Sequence, residues 1–238
     1  MSAPGEAAVV VDYIFGYGSI LNAESRRSTG GPARIAVAEL CKLPGIGTVG
    51  LAWNFQSATG FTALGLEPAA ADPAPPPVRG VLFPADRHMD AFDSREDGYR
   101  RVRVPAAELQ LCDAPAAGSA EVLQPAEEVR SLRRRLDAEE ARAWTYVPLP
   151  ECVSQPDKEH PICQTYVDTV LGGCLDVGGE DMATALLLGT SGWSEFFLND
   201  VPMSRRPWLH RPANYATIDR LLEKHSELTR FDMRRHPE

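Results

Sequence analysis

The chain has 238 residues, 44% hydrophobic and 24% charged, ordinary proportions for a globular protein that buries a core of its own. Its formal net charge of −9 argues against a nucleic-acid binder, which would carry a basic face. No apolar run approaches the roughly 20 residues of a membrane span. The cysteines Cys41, Cys112, Cys152, Cys163 and Cys174 are odd in number and include no CxxC pair, so neither a disulfide framework nor a zinc site is suggested and a reducing, cytosolic compartment fits best.

Residues 1–8 read as disordered and lack the charge and apolar core of a signal peptide. A first strand follows, with Val9, Val10, Val11, Tyr13, Ile14 and Phe15 β-branched or aromatic. It stops at Gly16 and Gly18, where the chain can turn sharply. Ser19 then lies just past a strand end, where successive backbone N–H groups can converge on a negative or carbonyl oxygen. The glycines alone are unspecific. A dinucleotide fingerprint needs a third glycine where Leu21 stands, a P-loop needs a following lysine, and a plain tight turn remains an alternative.

Asn22 to Thr29 reads as one polar helical turn ended by Gly30-Gly31-Pro32. Strands are expected over Ile35 to Leu43, Thr48 to Phe55 and Phe61 to Leu66, with connections short enough for antiparallel pairing. Pro68 to Pro77 is a proline-rich connector, and the strand pattern resumes at Val78 to Phe83. A helix is expected over Pro84 to Asp93, with Pro84 in its first turn. Tyr99 to Val104 alternates as a strand. Residues 113–142 fit either an amphipathic helix or a peripheral strand. Ala143 to Leu149 is a strand, Pro161 to Leu171 a helix stopped by Gly172-Gly173, Asp181 to Leu188 a further helix, and Tyr215 to His225 a last one. The tail also carries Trp193, Phe196, Phe197 and Trp208. Strands fill the first half and helices the second. That points to an α+β fold, a curved sheet or small barrel, mixed or mostly antiparallel, with helices beside it.

Among side chains that can do chemistry, Glu96 stands out. It lies at a helix end before Gly98, between Phe92 and Tyr99. Folded inward it would be desolvated, its pKa would rise, and it would suit a proton shuttle. The blander alternative for Asp93-Ser94-Arg95-Glu96-Asp97 is a solvated charge cluster. Ser194 lacks the second glycine of a nucleophile elbow. The histidines His88, His160, His210, His225 and His236 are scattered without a metal-ligand spacing. Tyr166 is by default a core tyrosine with a bonded hydroxyl.

Four segments, taken in order, resemble the gamma-glutamylcyclotransferase superfamily, including its ChaC-like branch. Phe15-Gly16-Tyr17-Gly18-Ser19-Ile20 resembles the Tyr-Gly-Ser loop, and Arg79-Gly80-Val81-Leu82-Phe83 the Gly-Val-hydrophobic strand. Asp93-Ser94-Arg95-Glu96-Asp97-Gly98-Tyr99 resembles the acidic helix end with its catalytic glutamate and following tyrosine. Pro161-Ile162-Cys163-Gln164-Thr165-Tyr166 resembles the helix that presents a substrate-contacting tyrosine. Ile20 departs from the Asn or Leu frequent after the serine. The likeness covers Asp12 to Cys174, and divides the chain into an N-terminal segment 1–11, a domain 12–178 and a helical C-terminal extension 179–238.

The resemblance implies a cofactor-independent enzyme of lyase or acyltransferase type, acting on a small-molecule γ-glutamyl substrate and releasing 5-oxoproline, with no nucleic-acid or membrane partner. It assigns catalysis to Glu96 and substrate binding to Gly16, Tyr17, Gly18, Ser19, Ile20 and Tyr166, with no metal site. The rivals are a non-catalytic ligand-binding or interaction protein of the same fold, and an amide hydrolase or γ-glutamyl transferase, which would want an activated nucleophile that the sequence does not offer.

Overall fold

Two strands with nearly continuous apolar runs anchor the architecture. In β1 (Val11–Gly16) Ile14 and Phe15 are fully buried, and in β6 (Val78–Pro84) so are Val81 and Phe83. Strands apolar on both faces belong at the centre of a sheet. The computed structural model, which describes residues 10–32, 34–70, 72–112, 126–201 and 212–235, places them there. The expected disorder of the N-terminal segment, Trp208, His210 and His236 lie outside the described residues.

The main sheet has six strands, joined by β2 (Ala36–Leu40), β7 (Tyr99–Val104), β8 (Leu109–Leu111) and β9 (Ala141–Pro148). Its order is β7-β9-β1-β6-β2-β8, with β1 and β9 parallel and every other pair antiparallel. A long antiparallel hairpin, β4 (Gly47–Ser57) and β5 (Phe61–Pro68), forms a second sheet with β3 (Lys42–Leu43) and β11 (Thr190–Ser191) along β4. The strand expected over Ile35 to Leu43 is therefore two. The chain pairs with β6 and β8 up to Leu40, crosses over at Cys41, whose N–H donates to Glu108 O and whose carbonyl accepts from the Val49 N–H, and joins β4. The fold is α+β and mostly antiparallel, as expected.

Helices α1 (Ala23–Arg27) and α2 (Met89–Arg95) flank the glycine turn and the acidic segment. Pro84 does not open a helix. It ends β6 opposite Tyr13, and a turn over Ala85 to His88 precedes α2. Residues 126–137 resolve the ambiguous arginine-rich segment as helix α3 (Ala126–Asp137). There Leu132 and Leu136 are buried, and Arg130–Glu127 and Arg133–Asp137 pair at helical spacing on the outside.

The largest departure from expectation is α4 (Gln164–Gly189). Ile162 and Cys163 are not its first turn. They form a short strand, β10, parallel to β12 (Phe197–Leu198), and the carboxylate of Asp200 accepts from the Thr165 N–H at 2.9 Å. The helix is thus capped by a residue 35 positions downstream. Nor do Gly172 and Gly173 stop it. It runs on to a non-helical break at Gly179 (φ 67°, ψ −162°), and the segment beyond, through Gly189, is the further helix expected over Asp181 to Leu188. Val167, Val170, Leu171, Cys174 and Val177 before the kink and Met182, Ala183, Leu186 and Leu187 after it are buried, and that burial outweighs the roughly 1 kcal/mol each glycine costs a helix. Helix α5 (Pro212–Lys224) packs against α4 through a face that buries Ile218, Leu221 and Leu222, and a short helix, α6 (Ser226–Thr229), follows. No helix among the described residues is long and apolar enough to cross a membrane.

Candidate active site

The glycine turn is built by close approach. A methyl group at Gly16 would lie 2.4 Å from Ile20 Cγ2, so a larger residue there would force the Ile20 side chain to shift. Tyr17 is extended, Gly18 takes φ +62°, and Gly18–Leu21 forms a single 3₁₀ turn. Asn22 then caps α1, its Oδ1 accepting from the Ser25 N–H at 2.9 Å. Helix α4 closes the turn from outside. A methyl at Gly173 would stand 2.5 Å from the Asn22 nitrogen and 2.6 Å from the Leu21 carbonyl carbon.

A fully buried arginine holds the far end of the turn. Arg26 Nη1 donates to the carbonyls of Ile20 (3.0 Å) and Leu21 (3.3 Å), its Nε donates to Pro32 O (3.3 Å), and its guanidinium lies 5.7 Å from the Phe83 ring centroid. Burial lowers its pKa to about 10, which still leaves it charged at neutral pH. Replacement with methionine keeps the length and strands those carbonyls. Arg26→Met is expected to cost roughly 2–4 kcal/mol, read as a lower denaturant midpoint with an unchanged m-value.

Glu96 faces the turn across a shared cavity. Helix α2 is anchored by the fully buried Phe92, whose carbonyl accepts the Glu96 N–H at 2.9 Å. The Tyr99 N–H then returns to Glu96 O at 2.9 Å across Gly98, which takes φ +85°. This tight turn aims Glu96 inward, leaving its side chain 15% exposed, while Asp93 and Asp97 of the same string stay exposed. All seven residues singled out in the sequence line one cavity: Gly16, Tyr17, Gly18, Ser19, Ile20, Glu96 and Tyr166. Its volume is about 20 Å³, room for little more than a water molecule.

Sequence reasoning missed two tyrosines that share this cavity, Tyr99 on β7 and Tyr146 on β9. Tyr99 was visible as the residue following the acidic helix end. Tyr146 carried no signal beyond strand alternation. Four tyrosines therefore surround Glu96. Tyr17 donates to Tyr146 O (2.7 Å), Tyr99 to Leu64 O (2.9 Å) and Tyr146 to Asp93 Oδ1 (2.8 Å). The Tyr166 hydroxyl lies against the turn, and a methyl at Gly18 would come within 3.1 Å of it. Burial raises Tyr17 and Tyr99 well above the ordinary value and Tyr166 to about 12; after burial comes the charge of Glu96 for Tyr17 and Tyr166, and the neighbouring Tyr17 and Tyr166 for Tyr99. Tyr146 is raised by burial first and then by its bond to Asp93. All four are neutral hydroxyls at physiological pH.

Glu96 is itself raised above the ordinary 4.5 because burial disfavours its charge. Arg95, with Nε 3.1 Å from Glu96 Oε1, opposes that shift without cancelling it. A carboxyl so placed holds its proton to a higher pH than a solvated one, which suits it to proton transfer. Ser194, by contrast, makes a local turn by accepting from the Phe196 N–H at 3.2 Å.

No protein-family model matches the chain, and no curated protein matches it. Among solved structures, it is similar to YkqA from Bacillus subtilis, with 14% identity and a TM-score of 0.44 over 74% of this chain. The match spans 52% of YkqA, about half that protein's length. It is similar also to a gamma-glutamyl cyclotransferase, with 14% identity and a TM-score of 0.47 over 87% of this chain and 98% of the other. A third similar structure is a yeast gamma-glutamyl cyclotransferase specific to glutathione, with 12% identity and a TM-score of 0.37 over 90% and 95% of the two chains.

Proposed function

We propose that the protein is a γ-glutamyl cyclotransferase. The observation that carries the proposal is a largely buried carboxylate, Glu96, sharing a small tyrosine-lined cavity with a glycine turn. The sequence motifs that resemble the superfamily support it independently.

The substrate is a γ-glutamyl amide. Its α-amino nitrogen attacks its own γ-carbonyl carbon, forming the C–N bond of a five-membered lactam. The original amide C–N bond then breaks, giving 5-oxoproline and a free amine. Nucleophile and electrophile are parts of one molecule, and such ring closures reach effective molarities of ~10⁵–10⁸ M when the chain is held bent. The protein must therefore bend the chain, move a proton and stabilise an oxyanion. Glu96 takes one proton from the α-ammonium before attack and the second that the ring nitrogen sheds as the new C–N bond forms, and the departing amine receives both and leaves as an ammonium. Backbone N–H groups from Tyr17 to Ile20 meet the oxyanion. Ser19 and Tyr166 bind the curled glutamyl end, with Tyr99 and Tyr146 completing its wall.

The corner formed by Arg95 and Glu96, with side chains 20% and 15% exposed, is the charged edge of the site. A reducing compartment such as the cytosol is the expected setting, and the five free thiols are compatible with it.

The test is incubation of the purified protein with glutathione, γ-glutamyl amino acids and γ-glutamyl amines, with 5-oxoproline followed by mass spectrometry. Release from at least one class is expected. Saturable binding of such a ligand with no release from any class would favour the non-catalytic alternative and contradict the proposal.

A further inference from the structure

Arg95 is tied to far more than its neighbour. From the last turn of α2 its Nη1 donates to the Ser25 carbonyl (2.5 Å) and to Thr29 Oγ1 (2.9 Å). Its Nη2 donates to Ser25 Oγ (2.7 Å) and Ser19 Oγ (3.0 Å), while Nε faces Glu96 Oε1 at 3.1 Å. One guanidinium thus touches the α1 segment, the glycine turn and the acid. Four of these contacts reach residues 66 to 76 positions earlier in the chain, so local helix geometry does not account for them. A solvated arginine beside an adjacent glutamate would form a weak pair and no more. A planar fork with five donors can bridge three elements at once, and an ammonium cannot.

We infer that Arg95 is the positioning residue of the site, fixing the Glu96 carboxylate and the Ser19 hydroxyl relative to one another. Its catalytic consequence rests on the proposed role of Glu96 in carrying the proton. The groups that face Glu96 are the neutral hydroxyls of Tyr17 from the turn, Tyr99 from β7, Tyr146 from β9 and Tyr166 from α4. Asp93, beyond Tyr146, is paired with Arg101 at 2.9 Å. Arg95 is the cation that opposes the burial of Glu96. Without it desolvation acts unopposed, and the carboxylate accepts its proton at a higher pH. Without it Ser19 also loses the bond that draws it toward α2.

The experiment compares the full chain with its Arg95→Gln and Arg95→Lys variants. The Glu96 side-chain carboxyl is titrated by carbon-13 NMR, its signal assigned by its loss in Glu96→Gln, and kcat and KM for 5-oxoproline release are measured alongside. In Arg95→Gln the titration should move to higher pH and kcat should fall roughly 100-fold, the cost of misplacing a reacting group. In Arg95→Lys the titration should stay near the wild-type position, because the charge remains, while kcat stays low, because one nitrogen cannot span Ser19, Ser25 and Thr29. An unmoved Glu96 titration in Arg95→Gln overturns the inference. So does an Arg95→Lys enzyme within twofold of wild-type kcat, a result that stands even where Arg95→Gln does not fold. If the wild type releases no 5-oxoproline from any substrate, the proposed activity falls, and the titration still decides whether Arg95 governs Glu96.

Discussion

Glu96→Gln should lower 5-oxoproline release roughly 100- to 10,000-fold, the usual contribution of a positioned acid–base group, and should at the same time make the protein more stable at neutral pH. The two effects have one cause. Burial raises the folded-state pKa of Glu96 above its ordinary 4.5, with Arg95 opposing only in part. A group whose folded pKa is raised favours the fold in its protonated form. That contribution is complete below the ordinary value and is lost as the pH rises through the folded value. Glutamine imitates the protonated form at every pH. The variant and the wild type should therefore melt alike in acid and separate as the pH climbs above 4.5, with the variant higher. In the wild type, the acid limb of kcat/KM should lie above the ordinary carboxylate range, because the base form is needed. A variant that keeps wild-type turnover would remove Glu96 from the mechanism. One that melts lower than wild type at pH 7 would contradict its desolvation.

The second large effect separates two adjacent glycines. Gly172 and Gly173 sit mid-way along α4, where alanine would ordinarily stabilise a helix by up to about 1 kcal/mol. At Gly172 nothing lies within 4 Å of an added methyl. Gly172→Ala should raise the melting temperature and leave turnover alone. At Gly173 the methyl would meet backbone, 2.5 Å from the Asn22 nitrogen, and backbone cannot swing aside as a flexible side chain does. Gly173→Ala should cost about 1–3 kcal/mol through overpacking. By pushing on Leu21 and Asn22 it should also displace the glycine turn and lower kcat roughly 100-fold. Thermal melts and turnover of the two variants side by side check this. Equal behaviour would mean that α4 does not buttress the turn.

The glycine pair also shows where sequence legibility ended. The first strand, the turn after it and the acid at a helix end were readable because each signal is local: a β-branched run, glycines where the chain must double back, an acid before Gly98. The path of α4 was not. Its start is set by Asp200, far along the chain, and its continuation past Gly172-Gly173 is set by buried side chains on both sides of the Gly179 kink. Pro84 was misread for a related reason, since proline suits both a first helical turn and a strand end, and only pairing with Tyr13 decides between them. The arginines were the hardest to read. Arg26 and Arg95 stand in polar stretches that look solvated, yet one is fully buried under the turn and the other bridges it to Glu96. Burial of a charged side chain depends on distant partners, and no local pattern announces it. Tyr146 belongs with them, because its place in the cavity follows from the pairing of β9 with β1 and β7.

Ring closure by the substrate's own amine consumes no water, and that is the most direct point of attack. Turnover of an active γ-glutamyl substrate in water enriched in oxygen-18, read by mass spectrometry, should yield 5-oxoproline without label and no labelled glutamate. Free glutamate carrying oxygen-18 in its γ-carboxylate would mean that water, not the α-amine, attacks the carbonyl, and would contradict the proposed chemistry.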